Sequence, residues 1–138
     1  IEKVNIETLT EEQFLSYDVM ILGVSTWFDG ELPNYWDEFV PALEDMNLKG
    51  KTIALFGPGD QKNYPDNFVD GLGLLAEILE ERGASLIGYT GTKGYSFNHS
   101  QGVRNGKFIG LAIDEVNQRK LTDKRITEWI AELKKELH

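Results

Sequence analysis

An α/β fold built on a parallel sheet is what this 138-residue sequence predicts, on two observations. Short apolar runs alternate with stretches of helical periodicity, the order that places helices over a parallel sheet. The runs themselves, above all Val19 to Val24 and Thr52 to Phe56, are continuous rather than alternating, as in strands covered on both faces. A chain that is 41% hydrophobic and 27% charged is sized and composed for a single domain, 1–138, around one core.

In chain order, Lys3 to Thr8 alternates apolar Val4 and Ile6 with polar residues and reads as a short strand. Thr10 followed by Gln13 is a capping box that opens a short helix before Tyr17. Val19 to Val24 is a central strand. Tyr35, Trp36, Phe39, Val40 and Leu43 recur at helical spacing over 34–46, with Pro41 kinking or dividing the helix. After the strand Thr52 to Phe56, Phe68 to Arg82 is a helix burying Leu72, Leu75, Ala76 and Leu79, with Gly83 as its stop. Leu86 to Tyr89 is a further strand. The closing helix takes Thr122 as N-cap, carries Ile126, Trp129, Ile130 and Leu133 inward, and ends in Lys134 and Lys135. Between them, 91–121 breaks the rhythm, with turns at Asn98 to Ser100 and Asn105-Gly106, and reads as an excursion that interrupts or extends the last strand.

Fourteen Lys plus Arg against twenty-three Asp plus Glu give a net charge of -9, which argues against nucleic acid or anionic membranes as partners and favours basic proteins. Without cysteine there is neither a disulfide framework nor thiol chemistry. No apolar run approaches the roughly 20 residues of a membrane span, and no basic, apolar leader opens the chain. These features lead us to expect a cytoplasmic protein.

Two loops at strand ends hold the chemistry. Ser25-Thr26-Trp27-Phe28-Asp29-Gly30-Glu31 follows the first buried run, and Gly57-Pro58-Gly59-Asp60-Gln61 with Tyr64 and Asn67 follows the second. In an open parallel sheet ligands sit beyond the carboxyl ends of the strands. A lone loop Trp is as readily a cap on the core edge. Trp27 with Tyr64 on the neighbouring loop, and glycines that let the backbone come close, point instead to a flat ring held between two aromatics. Asp60 reads equally as a turn residue or as an acceptor for a ring N–H, with amides of the Gly59-Asp60-Gln61 turn donating to ring carbonyls. Asp29, Glu31 and Asp37 read as a solvated acidic face.

Hydrolytic chemistry has little to stand on. His99 and His138 are far apart, with His138 on the closing helix, and HExxH, GxSxG, CxxC and GxGxxG are all absent.

The loops and their surroundings resemble the flavodoxin family, small electron carriers that hold FMN without a covalent bond, and within it the long-chain subgroup. The matching stretches are Ser25-Thr26-Trp27 with Gly30-Glu31-Leu32, Ala54 to Gly57 with Gly59-Asp60-Gln61, Tyr64 with Asp66-Asn67-Phe68, Gly94-Tyr95 with Phe97, and Lys107 to Glu115. The resemblance implies a doubly wound parallel sheet of order 2-1-3-4-5, with the excursion as the insertion that splits the last strand. It implies that Trp27 and Tyr64 pack on opposite faces of the isoalloxazine and that Thr26 contacts the phosphate end. Asp60 would bond the pyrimidine edge, helped by Gly59 and Gln61, with Asn67 nearby. The Phe28-Asp29 peptide would reorient on reduction, with Gly30 permitting the turn. Val116 stands where long-chain relatives often have an acidic residue near the ribityl chain, so no sugar contact is carried over.

The function so implied is one-electron shuttling between semiquinone and hydroquinone at low potential, since about 59 mV of one-electron potential corresponds to about 1.4 kcal/mol and acidic surroundings oppose a further negative charge. This is electron transfer rather than enzyme catalysis. Its partners would be basic redox proteins, such as a flavodoxin/ferredoxin reductase, and electron acceptors. Family members begin with a strand, a Ser/Thr-rich phosphate-binding loop and a helix, about thirty residues in all, which this sequence does not contain. The expectation is therefore an N-terminally incomplete domain without its central first strand. A gap of about 10 Å would separate the strand at Lys3 to Thr8 from that at Val19 to Val24, and several phosphate hydrogen bonds of about 1.5–3 kcal/mol each would be missing. A complete chain would be a monomer and a truncated one swapped or complemented. The alternatives are a flavin-dependent quinone or nitro reductase and a cofactor-free interaction domain.

Overall fold

The structure, a computed structural model, describes residues 1–137. A 3-10 turn (Ile6–Thr8) and α1 (Glu11–Leu15) lead into β1 (Val19–Gly23), followed by the short helices α2 (Asn34–Asp37) and α3 (Val40–Glu44). Next come β2 (Thr52–Pro58), α4 (Asp70–Glu81) and β3 (Ser85–Ile87). Three two-residue strands follow, β4 (Thr90–Gly91), β5 (Val103–Arg104) and β6 (Lys107–Phe108), before β7 (Leu111–Ile113) and α5 (Arg119–Glu136).

β2 organises the main sheet. Along one edge it pairs in parallel with β1, Thr52 to Phe56 against Val19 to Gly23. Along the other it pairs first with β3, through Thr52 to Ala54, and then with β7, through Phe56 to Pro58. One strand position is thus filled by two segments, and the residues between them form a second, antiparallel sheet of order β4-β6-β5. The interruption expected from the broken rhythm is therefore real. Its hairpin turns at Asn105 (φ 54°) and Gly106 (φ 78°), the pair of left-handed residues that a two-residue loop between twisted strands requires.

Helices cover both faces of the sheet, the doubly wound arrangement. Leu43, Leu48, Ile53, Leu55, Leu72, Leu75 and Leu79 fill the larger core. On the opposite face Trp129 and Leu133 of α5 pack on Ala54 and Leu111. The two buried indoles also bond the sheet: Trp36 Nε1 donates to the Gly23 carbonyl at 2.9 Å and Trp129 Nε1 to the Gly88 carbonyl at 2.8 Å. Thr10 caps α1 by accepting from the Gln13 N–H at 3.1 Å. Pro41 sits in the first turn of α3, where its missing N–H costs nothing, and the helix is divided before it. Gly83 closes α4 at φ +102°.

Five expectations are corrected. Lys3 to Thr8 forms no strand: the Asn5 side chain accepts the Glu7 N–H and turns the backbone into the 3-10 turn. No described element offers that segment a ladder, so the expected strand-to-strand gap has no counterpart. The described sheet corresponds to positions 3-4-5 of the implied order. β1 is not covered on both faces; Val19 is 51% and Ile21 42% exposed, because among the described residues β1 pairs with β2 alone and α5 packs on Ala54 and Leu111 rather than on β1. α5 begins at Arg119, three residues before Thr122, whose hydroxyl donates to Glu115 Oε2 at 3.0 Å instead of capping. Ile126, expected to face inward with Trp129 and Leu133, is 38% exposed. His138 lies outside the described residues.

Candidate functional site

The carboxyl ends of β1 and β2 point the same way, and the loops that leave them enclose a pocket of about 330 Å³. Thr26, Trp27 and Phe28 line it from the first loop, and Pro58, Gly59, Asp60, Tyr64 and Asn67 from the second, with Phe68 and Val69 as floor. The structure thus brings together seven of the ten residues that the sequence nominates. Asp29, Gly30 and Gln61 lie just behind them.

The first loop is a tight reversal. Trp27 and Glu31 exchange two backbone hydrogen bonds, at 2.8 and 2.7 Å, leaving Phe28, Asp29 and Gly30 at the tip. Phe28 takes a left-handed conformation (φ 52°), a cost of order 1–2 kcal/mol for a residue with a Cβ. Gly30 follows at φ +96°, and a Cβ there would lie 2.6 Å from Asp70 Oδ2. Asp70, fully buried, underpins the loop: Asn67 Nδ2 donates both to its Oδ2 and to the Asp29 carbonyl, each at 3.1 Å, and the Gln101 N–H donates to its Oδ1 at 2.7 Å. Thr26 Oγ1 accepts from the Gly71 N–H at 2.8 Å, which leaves its own O–H free to donate outward.

Trp27 is braced edge-on by Tyr35, ring centroids 5.9 Å apart, and by Phe28 at 6.3 Å. Tyr64 and Phe28 are 57% and 72% exposed, a large unsatisfied aromatic area at the mouth of a concave site. Under the floor, Phe68, Tyr95, Phe97 and Phe108 form one aromatic cluster, with Phe68 and Phe97 stacked at 5.3 Å.

The second loop is held by polar groups. The Asp60 carboxylate accepts from the N–H of Lys62 and Asn63, from Asn63 Nδ2 and from Asn117 Nδ2, at 2.7–3.2 Å. The Asn63 N–H holds its carboxyl below the usual range, against a smaller upward push from burial and with help from Asn117. Gly59 N–H is spent on the Ile113 carbonyl, 2.8 Å, and Gln61 N–H on Asp114, 3.1 Å. Among the described residues the Asp60 N–H alone of that turn has no acceptor, which makes it the amide available to a ring carbonyl. Gln61 is buried and also ties the excursion in, its Oε1 accepting from the Ser96 N–H at 2.6 Å.

Sequence reasoning did not single out Asp70, Ser96, Asp114 or Asn117. Their partners lie up to 57 residues away, so no local pattern marks them. Burial pushes the Asp114 carboxyl up, but the donors from Asn117 and Gln61 together outweigh it and leave the group below its ordinary value.

A pocket of this volume, walled by aromatics and edged by one free amide, fits a planar heteroaromatic ring with carbonyls at its edge. None of its lining residues is Lys, Arg or His, so for an anionic tail it offers neutral donors such as the Thr26 hydroxyl and no cation. Among the described residues no three His, Cys, Asp or Glu gather as a metal site, and no helix is long and apolar enough to cross a membrane.

Comparison with known proteins agrees with this geometry. A flavodoxin of Nostoc sp. is 49% identical over 120 residues, covering 87% of this chain and 71% of its own length. Flavodoxin 1 of Escherichia coli is 43% identical over 130 residues, covering 94% of this chain and 74% of its own. Among solved structures, Fusobacterium nucleatum flavodoxin bound to flavin mononucleotide superposes with a TM-score of 0.92 at 36% identity, over 98% of this chain and 80% of that one. The family model described as Flavodoxin matches residues 1–129, and with the fold and the loops in agreement the chain belongs to the flavodoxin family.

Proposed function

We propose that the chain carries single electrons on non-covalently bound flavin mononucleotide, Trp27 and Tyr64 holding the ring and the Asp60 turn meeting its carbonyl edge. The observation that carries this reading is the aromatic-walled pocket at the carboxyl ends of β1 and β2. Bound flavin mononucleotide supplies reversible one-electron chemistry that no side chain here can perform.

The chain's own groups do the rest. Trp27 and Tyr64 keep water from the ring faces. The net charge of -9 opposes the addition of negative charge; one unit charge about 10 Å away, at an effective dielectric near 20, opposes it by about 1.7 kcal/mol. The Phe28-Asp29 peptide would serve as an acceptor at the ring edge. Asn67 fixes the Asp29 carbonyl, while the Phe28 carbonyl accepts no hydrogen bond among the described residues and would be available to a ring N–H.

Membership of the long-chain subgroup is part of this reading, supported by the strand position shared between β3 and β7. Partners are reductases and acceptors with basic faces, drawn by the acidic surface, in the cytoplasm. Tight binding of the phosphate calls for a loop of the kind that the resemblance places after the family's first strand, beyond what Thr26 offers.

Parallel titrations with FMN and riboflavin, followed by quenching of flavin fluorescence, test the reading. Quenching by both supports the ring site, and tighter FMN binding adds a phosphate site. Absence of binding to either overturns it.

A further inference from the structure

The strand position shared by β3 and β7 leaves a gap beside β2. β3 pairs with β2 as far as Ala54 and β7 from Phe56 onward, so the register passes over Leu55. Gly88, at φ +84°, turns the chain out of the main sheet there, and Thr90 and Gly91 join the small antiparallel sheet. Between that departing segment and α5 lies a second cavity, of about 350 Å³, which shares no lining residue with the ring pocket.

Its lining is apolar and aromatic at one part and charged at another. Leu111 and Trp129 are buried, and Tyr89 and Tyr95 are half-buried. The four charged residues that line it are not equivalent. Glu128 already faces Lys124 at 3.9 Å, and Glu132 faces Lys135 at 3.2 Å. Lys93 and Arg125, in contrast, have no carboxylate partner among the described residues. Arg125 is held by neutral groups: Nη1 donates to Gln118 Oε1 at 2.8 Å, and the guanidinium carbon lies 4.0 Å from the centre of the Tyr95 ring. That ring is fixed in turn, its hydroxyl donating to the Ala112 carbonyl at 2.6 Å. Nε and Nη2 of Arg125, the side-on pair of donors, have no acceptor among the described residues.

In a chain with a net charge of -9, the unspent charge of this cavity is thus positive. The surrounding sequence agrees, since 93–138 holds nine of the fourteen Lys and Arg but six of the twenty-three Asp and Glu. A guanidinium pre-set by stacking, with its side-on donors free, matches a planar carboxylate through two parallel hydrogen bonds. An aromatic and apolar lining in a cavity of this volume suits a ring rather than a bare anion. We propose that the cavity binds a small aromatic carboxylate, its ring against Leu111 and Trp129 and its carboxylate on Arg125 and Lys93. The site is separate from the ring pocket, and the proposal does not rest on the flavin reading.

The probe is 2-naphthoate, titrated into the chain with and without FMN and followed by backbone amide chemical shifts. 2-Naphthylmethanol serves as the ring without the charge and inorganic phosphate as the charge without the ring. Saturable shifts are expected at Gly91, Lys93, Leu111 and Trp129, with a Kd of order 1 mM. The alcohol should bind at least about tenfold more weakly, and phosphate should not saturate. Arg125→Gln is expected to weaken naphthoate about tenfold, and Arg125→Lys, which keeps the charge and loses the fork, about threefold. Lys120→Gln removes a cation of the same helix outside the cavity and is expected to change the affinity less than about twofold. Thermal unfolding of each variant is measured alongside.

An alcohol that binds as tightly as the carboxylate overturns the proposal, as do saturable shifts confined to the loops around Trp27 and Asp60. A loss in Lys120→Gln equal to that in Arg125→Gln overturns it too, because the effect would then be net charge. Phosphate that matches naphthoate overturns the aromatic class of ligand, and absence of saturable shifts at about ten times the expected Kd overturns the site. If Arg125→Gln does not fold, Lys93→Gln, at an exposed side chain, decides the matter: about threefold weaker binding supports the proposal and unchanged binding overturns it. Cavity shifts in a chain that takes up no flavin support this proposal while the flavin reading falls.

Discussion

Replacing Gly73 by Ala should destabilise the protein, although the same change in an exposed helix interior is worth about 1 kcal/mol in the opposite direction. Gly73 lies within α4, and a Cβ there would overlap the Gln101 carbonyl oxygen and stand 2.6 Å from its carbon. Backbone cannot swing aside as a flexible side chain can. Residues 100–102 are pinned, moreover: the Ser100 hydroxyl donates to the Phe68 carbonyl, the Gln101 N–H to Asp70, and the Gly102 carbonyl accepts from Ile109. Overpacking of this kind costs about 1–3 kcal/mol, and shifting Gln101 leaves buried Asp70 short of a donor, about 1–3 kcal/mol more. Less the gain in helix propensity, the net loss is about 1–5 kcal/mol. For a chain of this length that lowers Tm by about 3–17 °C. Circular dichroism during thermal and urea unfolding measures it, with Gly91→Ala, which meets nothing within 4 Å, as a control expected within about 0.5 kcal/mol of the parent. A Gly73→Ala variant as stable as the parent, or more so, would refute the claim that the excursion is clamped rigidly onto α4.

Three further outcomes follow from the site. Trp27→Ala should weaken flavin binding about 10- to 100-fold and Tyr64→Ala somewhat less, because Trp27 is braced by Tyr35 while Tyr64 is open to solvent; fluorescence titration reads both. Gly30→Ala should cost about 2 kcal/mol or more in unfolding free energy, since its φ of +96° and the nearness of Asp70 Oδ2 both oppose a side chain. Asp60 and Asp114 titrate below their ordinary value near 3.8 in the fold, so their stabilising share is complete above about pH 4 and is lost as pH falls through the lower folded values. Asp114→Asn should therefore be less stable than the parent at pH 7, with the difference narrowing on acidification below about pH 4 in urea titrations run at a series of pH values.

What the sequence made legible was whatever is encoded locally. Trp27 and Tyr64 declared themselves by being large aromatics on loops at the ends of apolar runs, and Pro41 announced the division between α2 and α3 through its own geometry. Asn105-Gly106 named its hairpin. Burial on the far side of a strand is not local: the run Val19 to Val24 is the same whether or not a helix covers Ile21. The start of α5 was misplaced because Thr122 is a good cap by composition, and only the folded backbone shows that the helix begins at Arg119 and that the hydroxyl is taken by Glu115. Asp114 and Asn117 were invisible because their meaning lies in Asp60 and Gln61, more than fifty residues earlier.

The strand position divided between β3 and β7 has a consequence for how the molecule breathes. Ser85 to Ile87 can pair with β2 as soon as α4 returns the chain to the sheet, but Leu111 to Ile113 can join only after the small antiparallel sheet has closed its loop. Amide exchange should therefore grade along the single strand β2, slow from Thr52 to Ala54 and faster toward Phe56 to Pro58, where the loops of the ring pocket begin. The end of the sheet that must accommodate a ligand is also the end that the chain fastens last.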